Sequence, residues 1–152
     1  MGIGASGAVV KNRDRDILGI VSTPFDIFKE RLLQAAGHAL ARRGYTLQDD
    51  TVQVGSGLYR FARPVAGSAL ALVDVQLLFY SGGGPSRFEV KVWRSDRPKD
   101  KAKLGVWLRE QAIETLADEL GWWDFVSKPE LEDALRDASS GLERFLNANS
   151  PN

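Results

Sequence analysis

The sequence predicts an α+β fold: a three-stranded antiparallel meander with an N-terminal helix and two C-terminal helices. Two observations support this prediction. Three segments in the middle of the chain, residues 57–63, 69–80 and 87–94, read as strands separated by turn residues, whereas apolar residues recur at helical spacing on either side of them. Helices and strands that are segregated along a chain, instead of alternating, are typical of α+β proteins. The chain has 152 residues, 43% of them apolar, which is enough to bury one core.

The first helix has clear start and stop signals. Thr23 is a favourable N-cap, Pro24 suits the first turn, and Gly44 can end the helix in a left-handed conformation. Glu30 and His38 lie off its apolar stripe and are expected in solvent. The stripe consists of Phe25, Phe28, Leu32, Ala36, Ala39 and Leu40.

The three strands follow this helix. Residues 57–63 form the first strand, which Thr51–Val54 are expected to begin before an interruption at Gly55. Residues 69–80 form the longest and most apolar strand. The glycine-rich segment 81–85 connects it to residues 87–94, which alternate strictly between apolar and polar.

The second helix is predicted over residues 101–120, ending at Gly121. Its apolar arc covers about half of the circumference, which is typical of a helix that packs against two surfaces. Trp122 and Trp123 come next and are interpreted as a core plug, with an interface anchor as the alternative.

A capping box, Ser127-x-x-Glu130, begins the third helix. This helix has a narrow apolar stripe and needs a surface on which to pack, which favours packing across the second face of the sheet. In the alternative, that face stays exposed and forms an interaction site. The stripe consists of Leu131, Leu135, Ala138, Leu142, Phe145 and Leu146.

The predicted organisation is one α+β domain over residues 22–147, a flexible N-terminal arm over 1–21 and a disordered tail over 148–152. The arm lacks the basic start and long apolar core of a signal peptide, and no window is apolar enough for a membrane span. We therefore expect a soluble protein in the cytoplasm that does not bind membranes.

Composition excludes several kinds of site. The chain has no cysteine and a single histidine, His38, so it cannot form disulfides, a thiol nucleophile or a two-histidine metal site. Its net charge is zero, but residues 87–110 contain eight basic and four acidic side chains, and residues 111–152 contain three and nine. This polarity permits a local phosphate-binding patch, and equally head-to-tail self-association.

Four polar residues are expected on one surface of the central hairpin. Alternation places Asp74 and Gln76 on one face of the second strand, and Glu89 and Lys91 on the matching face of the third. In one interpretation these residues form ordinary cross-strand pairs. In the other, hard carboxylate oxygens bind Mg²⁺ beside a phosphate.

The pattern of Asp74 followed by Glu89-x-Lys91 on the partner strand resembles the PD-(D/E)xK nuclease core, with Val73 in place of the proline of that motif. The resemblance implies that Asp74 and Glu89 would be metal ligands and that Lys91 would be the third catalytic group.

A second resemblance is to uncharacterised bacterial helix-plus-meander domains of unknown function. It rests on Gly44-Tyr45, Tyr59-Arg60-Phe61, Asp74-Val75-Gln76 and Arg87-Phe88-Glu89-Val90, and it implies the fold without an activity.

The leading functional prediction is a non-catalytic binding or protein-interaction module without a cofactor, whose partner is another protein or a second copy of the chain. One alternative is a Mg²⁺-dependent nuclease, and another is nucleic-acid binding without cleavage, in which aromatic and basic side chains hold a single strand. The predicted binding surface consists of Leu72, Gln76, Leu78, Tyr80, Arg87 and Trp93.

Overall fold

One antiparallel sheet of six strands organises residues 23–149, the part of the chain described by this computed structural model. The α+β class is confirmed. The predicted meander forms the centre of the sheet, but a three-stranded sheet is wrong, because three short strands extend it. The strand order is β1 (Thr46–Gln48), β2 (Leu58–Pro64), β3 (Leu70–Leu78), β4 (Ser86–Arg94) and β5 (Ala102–Lys103), and β6 (Trp122–Phe125) pairs with the other half of the same β4 edge.

The N-terminal helix has the predicted limits but is not uniform. It consists of α1 (Pro24–Leu32), a π-helical turn (Leu33–Gly37) and α2 (His38–Arg42). Its buried residues, Phe28, Leu32, Ala36 and Leu40, are each four positions apart. Such a series drifts around a regular helix of 3.6 residues per turn, and a wider π turn keeps it on one face. Glu30 and His38 are exposed, as predicted.

The segment predicted to begin the first strand is instead a short helix, α3 (Thr51–Gly55). The carboxylate of Asp50 caps it by accepting hydrogen bonds from the backbone N–H groups of Val52 (2.9 Å) and Gln53 (3.3 Å). This cap outweighs the strand preference of the valines in the segment.

The second predicted helix is much shorter than residues 101–120. Helix α4 covers Leu104–Glu110, and the chain then turns through Ala112, which has a φ of 57°, before it enters β6. Leu116 and Leu120 belong to the predicted apolar arc, but they are 63% and 65% exposed. The carboxylate of Asp137 holds this loop, because it accepts hydrogen bonds from the Thr115 hydroxyl and the Leu116 N–H.

The last helix, α5 (Lys128–Ala148), begins at the predicted capping box. Its apolar stripe packs on the same sheet face as α1, against Val73, Val75 and Phe88. The expectation that it covers the second sheet face is therefore wrong. Trp123 lies in this core with 0% exposure, which agrees with the core-plug interpretation, whereas Trp122 points to the other side.

The second sheet face is called the open face below. Among the helices of residues 23–149, α1, α2, α4 and α5 pack on the opposite side, and α3 borders the β1–β2 end of the open face. The predicted arm, residues 1–21, and residues 150–152 of the tail lie outside the described part of the chain. Within that part, no helix combines the length and apolar character needed to cross a membrane. The open face carries Arg60, Leu72, Asp74, Gln76, Arg87, Glu89, Lys91, Trp93, Lys103, Trp122 and Asp124.

Candidate functional site

The pairing of the central strands brings the predicted polar residues together on the open face. Asp74 is opposite Lys91, and Gln76 is opposite Glu89. Because residues two apart share a face of a sheet, all four side chains lie on one surface. The two carboxylates are two positions out of register, so they are diagonal neighbours across the hairpin.

Asp74 is 8% exposed, and both of its carboxylate oxygens accept hydrogen bonds. Arg60 on β2 donates from Nε to Oδ1 at 2.7 Å and from Nη2 to Oδ2 at 2.9 Å. The indole Nε1 of Trp93 donates to Oδ2 at 3.0 Å. The hydrogen bond to Asp74 raises the pKa of Arg60, so the guanidinium keeps its positive charge. Asp74 is therefore the fixed centre of a three-residue group.

Glu89 is 6% exposed and lies between two lysines. Its Oε2 is 3.5 Å from the ammonium of Lys91, and its Oε1 is 3.3 Å from that of Lys103. The lysine side chains are 38% and 39% exposed. One carboxylate thus serves two cations, and both cations retain access to solvent.

Two tryptophan rings on the open face each contact two cations. The ammonium of Lys101 is 4.2 Å from the ring centroid of Trp93, and the guanidinium carbon of Arg60 is 5.5 Å from the same ring. Trp122 has Arg87 at 5.8 Å and Lys103 at 6.0 Å. Cations at these distances are attracted to the faces of aromatic rings.

The carboxylates proposed as metal ligands already have protein partners. Asp74 is engaged by Arg60 and Trp93, and Glu89 is paired with the two lysines. Across residues 23–149 there is no group of three or more His, Asp or Glu side chains placed to hold a metal ion. A divalent cation between Asp74 and Glu89 would have to break the Arg60 pair.

The other residues of the predicted binding surface differ in accessibility. Leu72 is only 3% exposed, so it is part of the floor of the face. The amide of Gln76 is turned toward the backbone, where Nε2 donates to the carbonyl oxygens of Ser56 (3.0 Å) and Leu77 (3.2 Å). Leu78 is partly exposed, and Tyr80 is 51% exposed beyond the end of β3.

Sequence reasoning missed several residues of this face, among them Arg60, Lys101, Lys103 and Trp122. The alternation of β2 was a usable signal for Arg60, which lies two residues from Leu58 and Ala62 on one side of that strand. Lys103 and Trp122 had no comparable signal, because the segment that contains β5 and the approach to β6 has the pattern of one long helix.

Electrostatically, the open face is basic beside β5, where Lys91 and Lys103 share the carboxylate of Glu89 and Lys101 lies over the Trp93 ring. At the end of the face beside β6, Arg87 is balanced by Asp124 at 3.4 Å.

Comparisons with protein-family models, with curated proteins and with solved structures find no match to this chain. The chemistry of this face is therefore the basis for assigning a function.

Proposed function

We propose that this protein is a non-catalytic binding module that uses its open face to hold an acidic partner, and that it acts in the cytoplasm. One observation carries the proposal: Lys91 and Lys103 share the carboxylate of Glu89, in the gap between Trp93 and Trp122. Two positive charges that share one negative charge leave a local excess. An anionic group of a partner can neutralise it without displacing Glu89.

The surroundings of this gap support a preformed site. The Arg60–Asp74–Trp93 group is fixed by three hydrogen bonds of 2.7–3.0 Å. Pairing of β4 with β5 holds Lys103 beside Lys91. Side chains that are fixed before binding lose less conformational entropy when the partner arrives.

The alternative to a binding role is a Mg²⁺-dependent nuclease. The contacts of Asp74 favour the binding module over the nuclease. A metal ligand at this position would first have to give up two hydrogen bonds from Arg60, a cation that cannot lose its proton. The test is cleavage of plasmid and single-stranded DNA with Mg²⁺, comparing the wild type with Asp74→Asn. Cleavage that depends on both Mg²⁺ and Asp74 would contradict the non-catalytic proposal.

Retention on immobilised heparin tests for an acidic partner without assuming its identity. Because the net charge of the chain is zero, retention requires a local basic patch. Lys91→Gln/Lys103→Gln should elute at clearly lower salt than the wild type. The matched control is Arg136→Gln/Arg144→Gln, which removes the same charge from the groove between α1 and α5 on the other side of the sheet.

The control variant should elute with the wild type. Equal elution of the two double variants would show that retention follows total charge and not the lysines of the open face. A wild type that heparin does not retain would mean that this face has no accessible basic patch. Either result would remove the open face as the site for an acidic partner.

A further inference from the structure

We infer that the acidic partner is a single strand of nucleic acid, bound with bases on Trp93 and Trp122 and a phosphate on the lysines between them. This inference rests on the proposed function of the open face and specifies its partner. It depends on three features together: two partly exposed indole rings, the cations that flank them, and the excess of lysine in the gap.

The positions of the rings suit a chain that alternates flat and anionic groups. Trp122 is paired with Glu89, four residues before Trp93 on β4, so the backbone positions that carry the two rings are about 13 Å apart along the strand direction. Lys91 and Lys103 are opposite one another between these positions. A single strand presents a base, a phosphate and a further base in the same order, and bases stack on aromatic side chains with little regard to sequence.

The two cations over the Trp93 ring are held differently. Arg60 is held by Asp74. Lys101, in contrast, is exposed and forms no ion pair among the described residues. Lys101 can therefore move off the Trp93 ring and pair with a phosphate. An aromatic sheet face of this kind binds unpaired bases, because bases inside a duplex are already stacked and cannot reach the rings. An acidic peptide would neutralise the lysines but would leave the rings without a planar partner.

The test is fluorescence anisotropy of the full chain with four labelled probes: a 12-nucleotide oligo-dT, a 12-nucleotide oligo-rU, a 12-base-pair duplex and a 12-residue polyglutamate peptide. We expect one or both single strands to bind at least about tenfold more tightly than the duplex or the peptide. Trp122→Leu should weaken single-strand binding about tenfold and have little effect on heparin retention.

Two further variants separate stacking from folding. Trp93→Phe keeps an aromatic face and should retain binding within a few-fold, whereas Trp93→Leu should lose it. Circular dichroism and thermal unfolding of each variant establish that it is folded. If Trp93→Leu does not fold, the Trp122 variant alone decides the role of stacking.

The salt dependence tests the phosphate contact. For single strands, each neutralised phosphate contributes about −0.7 to the slope of log K against log salt concentration. Lys91→Gln/Lys103→Gln should therefore reduce the magnitude of the slope by about 0.7 to 1.4. Arg136→Gln/Arg144→Gln should leave it unchanged.

Several outcomes would overturn this inference. Equal affinity for duplex and single strand would indicate general electrostatic attraction without stacking. Binding of the peptide alone, or a second copy seen by light scattering and lost in the lysine variant, would leave the proposed function standing with a protein as the partner. If heparin retains the protein but none of the four probes binds, the nucleic-acid inference is refuted and the open face remains a site for another acidic partner. If heparin does not retain the protein and no probe binds, both proposals are refuted.

Discussion

Arg60 and Asp74 face each other across β2 and β3 and form a two-bond ion pair, with N–O distances of 2.7 and 2.9 Å. The side chain of Asp74 is 11% exposed and that of Arg60 is 27% exposed. Trp93 on β4 donates to the same carboxylate, so one buried acid joins three neighbouring strands. The carboxylate to which the nuclease resemblance gives a metal is therefore held by hydrogen bonds from two neighbouring strands.

The first prediction concerns Asp74→Asn. The substitution removes the negative charge that pairs with Arg60 and one of the two oxygens that accept its hydrogen bonds. It should lower the free energy of unfolding by about 2 kcal/mol, because a half-buried cation loses its ionic partner. Urea unfolding followed by circular dichroism measures the change. Asp96→Asn is the matched control, since Arg94 also donates two hydrogen bonds to Asp96, both at 3.0 Å, but the Asp96 side chain is 45% exposed, against 11% for Asp74. Equal shifts of the two unfolding midpoints would contradict a special role for Asp74.

The second prediction contrasts Trp122 and Trp123, which are adjacent in sequence and lie on opposite faces of the sheet. Trp123 stacks on Phe88 with ring centroids 5.4 Å apart, and its Nε1 donates to Asp137 at 2.9 Å. Trp123→Leu should cost about 3 kcal/mol of unfolding free energy, whereas Trp122→Leu should cost less than about 1 kcal/mol. Parallel denaturation curves measure both, and a larger loss for Trp122→Leu would show that the face assignment is wrong.

The third prediction concerns alkaline pH. Tyr59 is fully buried, its hydroxyl donates to the Phe25 carbonyl at 2.7 Å, and burial raises its pKa well above the usual value of 10.0. Above pH 10 the unfolded chain releases this proton while the folded chain keeps it. Stability should therefore fall as pH rises, by at most about 1.4 kcal/mol per pH unit for this group.

Tyr59→Phe supplies the comparison for this pH effect. At pH 7 it should be less stable than the wild type by about 1 kcal/mol, because the hydrogen bond to Phe25 is lost. The difference should shrink as pH rises above 10, since only the wild type loses stability through Tyr59. Burial also raises the pKa of Tyr45, so the variant keeps part of the alkaline slope. A stability difference that stays constant from pH 7 to pH 11 would rule out the proposed cause.

Local patterns in the sequence predict the parts of the fold that local forces determine. The alternation in β4 and the apolar run in β3 indicate the register that places Asp74 opposite Lys91. Capping residues indicate the starts of two helices, at Thr23 and Ser127. Asp50 before Thr51–Gly55 is a similar signal for α3, but the valines of that segment favour the strand that was wrongly predicted there.

The rest of the site depends on contacts between residues that are distant in sequence. Apolar residues at intervals of four continue past Glu110, yet the helix ends there, because Asp137 on α5 binds the backbone and hydroxyl of residues 115 and 116. The end of that helix frees the chain to form β6, which brings Trp122 to the open face. No pattern within residues 101–120 contains this information.

The last prediction uses Gly105 on α4 to test the turn between α4 and β6. A Cβ at this position would be 2.7 Å from the Cα of Gly121, 2.9 Å from its carbonyl oxygen and 2.9 Å from the Cβ of Ala117. Because most of this obstruction is backbone, Gly105→Ala should cost about 2–3 kcal/mol despite the better helix propensity of alanine. Gly55→Ala on α3 is the matched control, since a Cβ there would meet nothing within 4 Å, and it should be neutral or slightly stabilising.

Hydrogen exchange shows where the cost of Gly105→Ala arises. Amides of residues 111–125 should exchange faster in this variant, while those of β2 and β3 keep wild-type protection, because the close contact between α4 and Gly121 positions β6 and not the central strands. Loosening of β6 should also weaken binding at the open face, since it carries Trp122. A destabilised variant with uniform exchange across the sheet would instead mean that the turn and the central strands unfold as one unit.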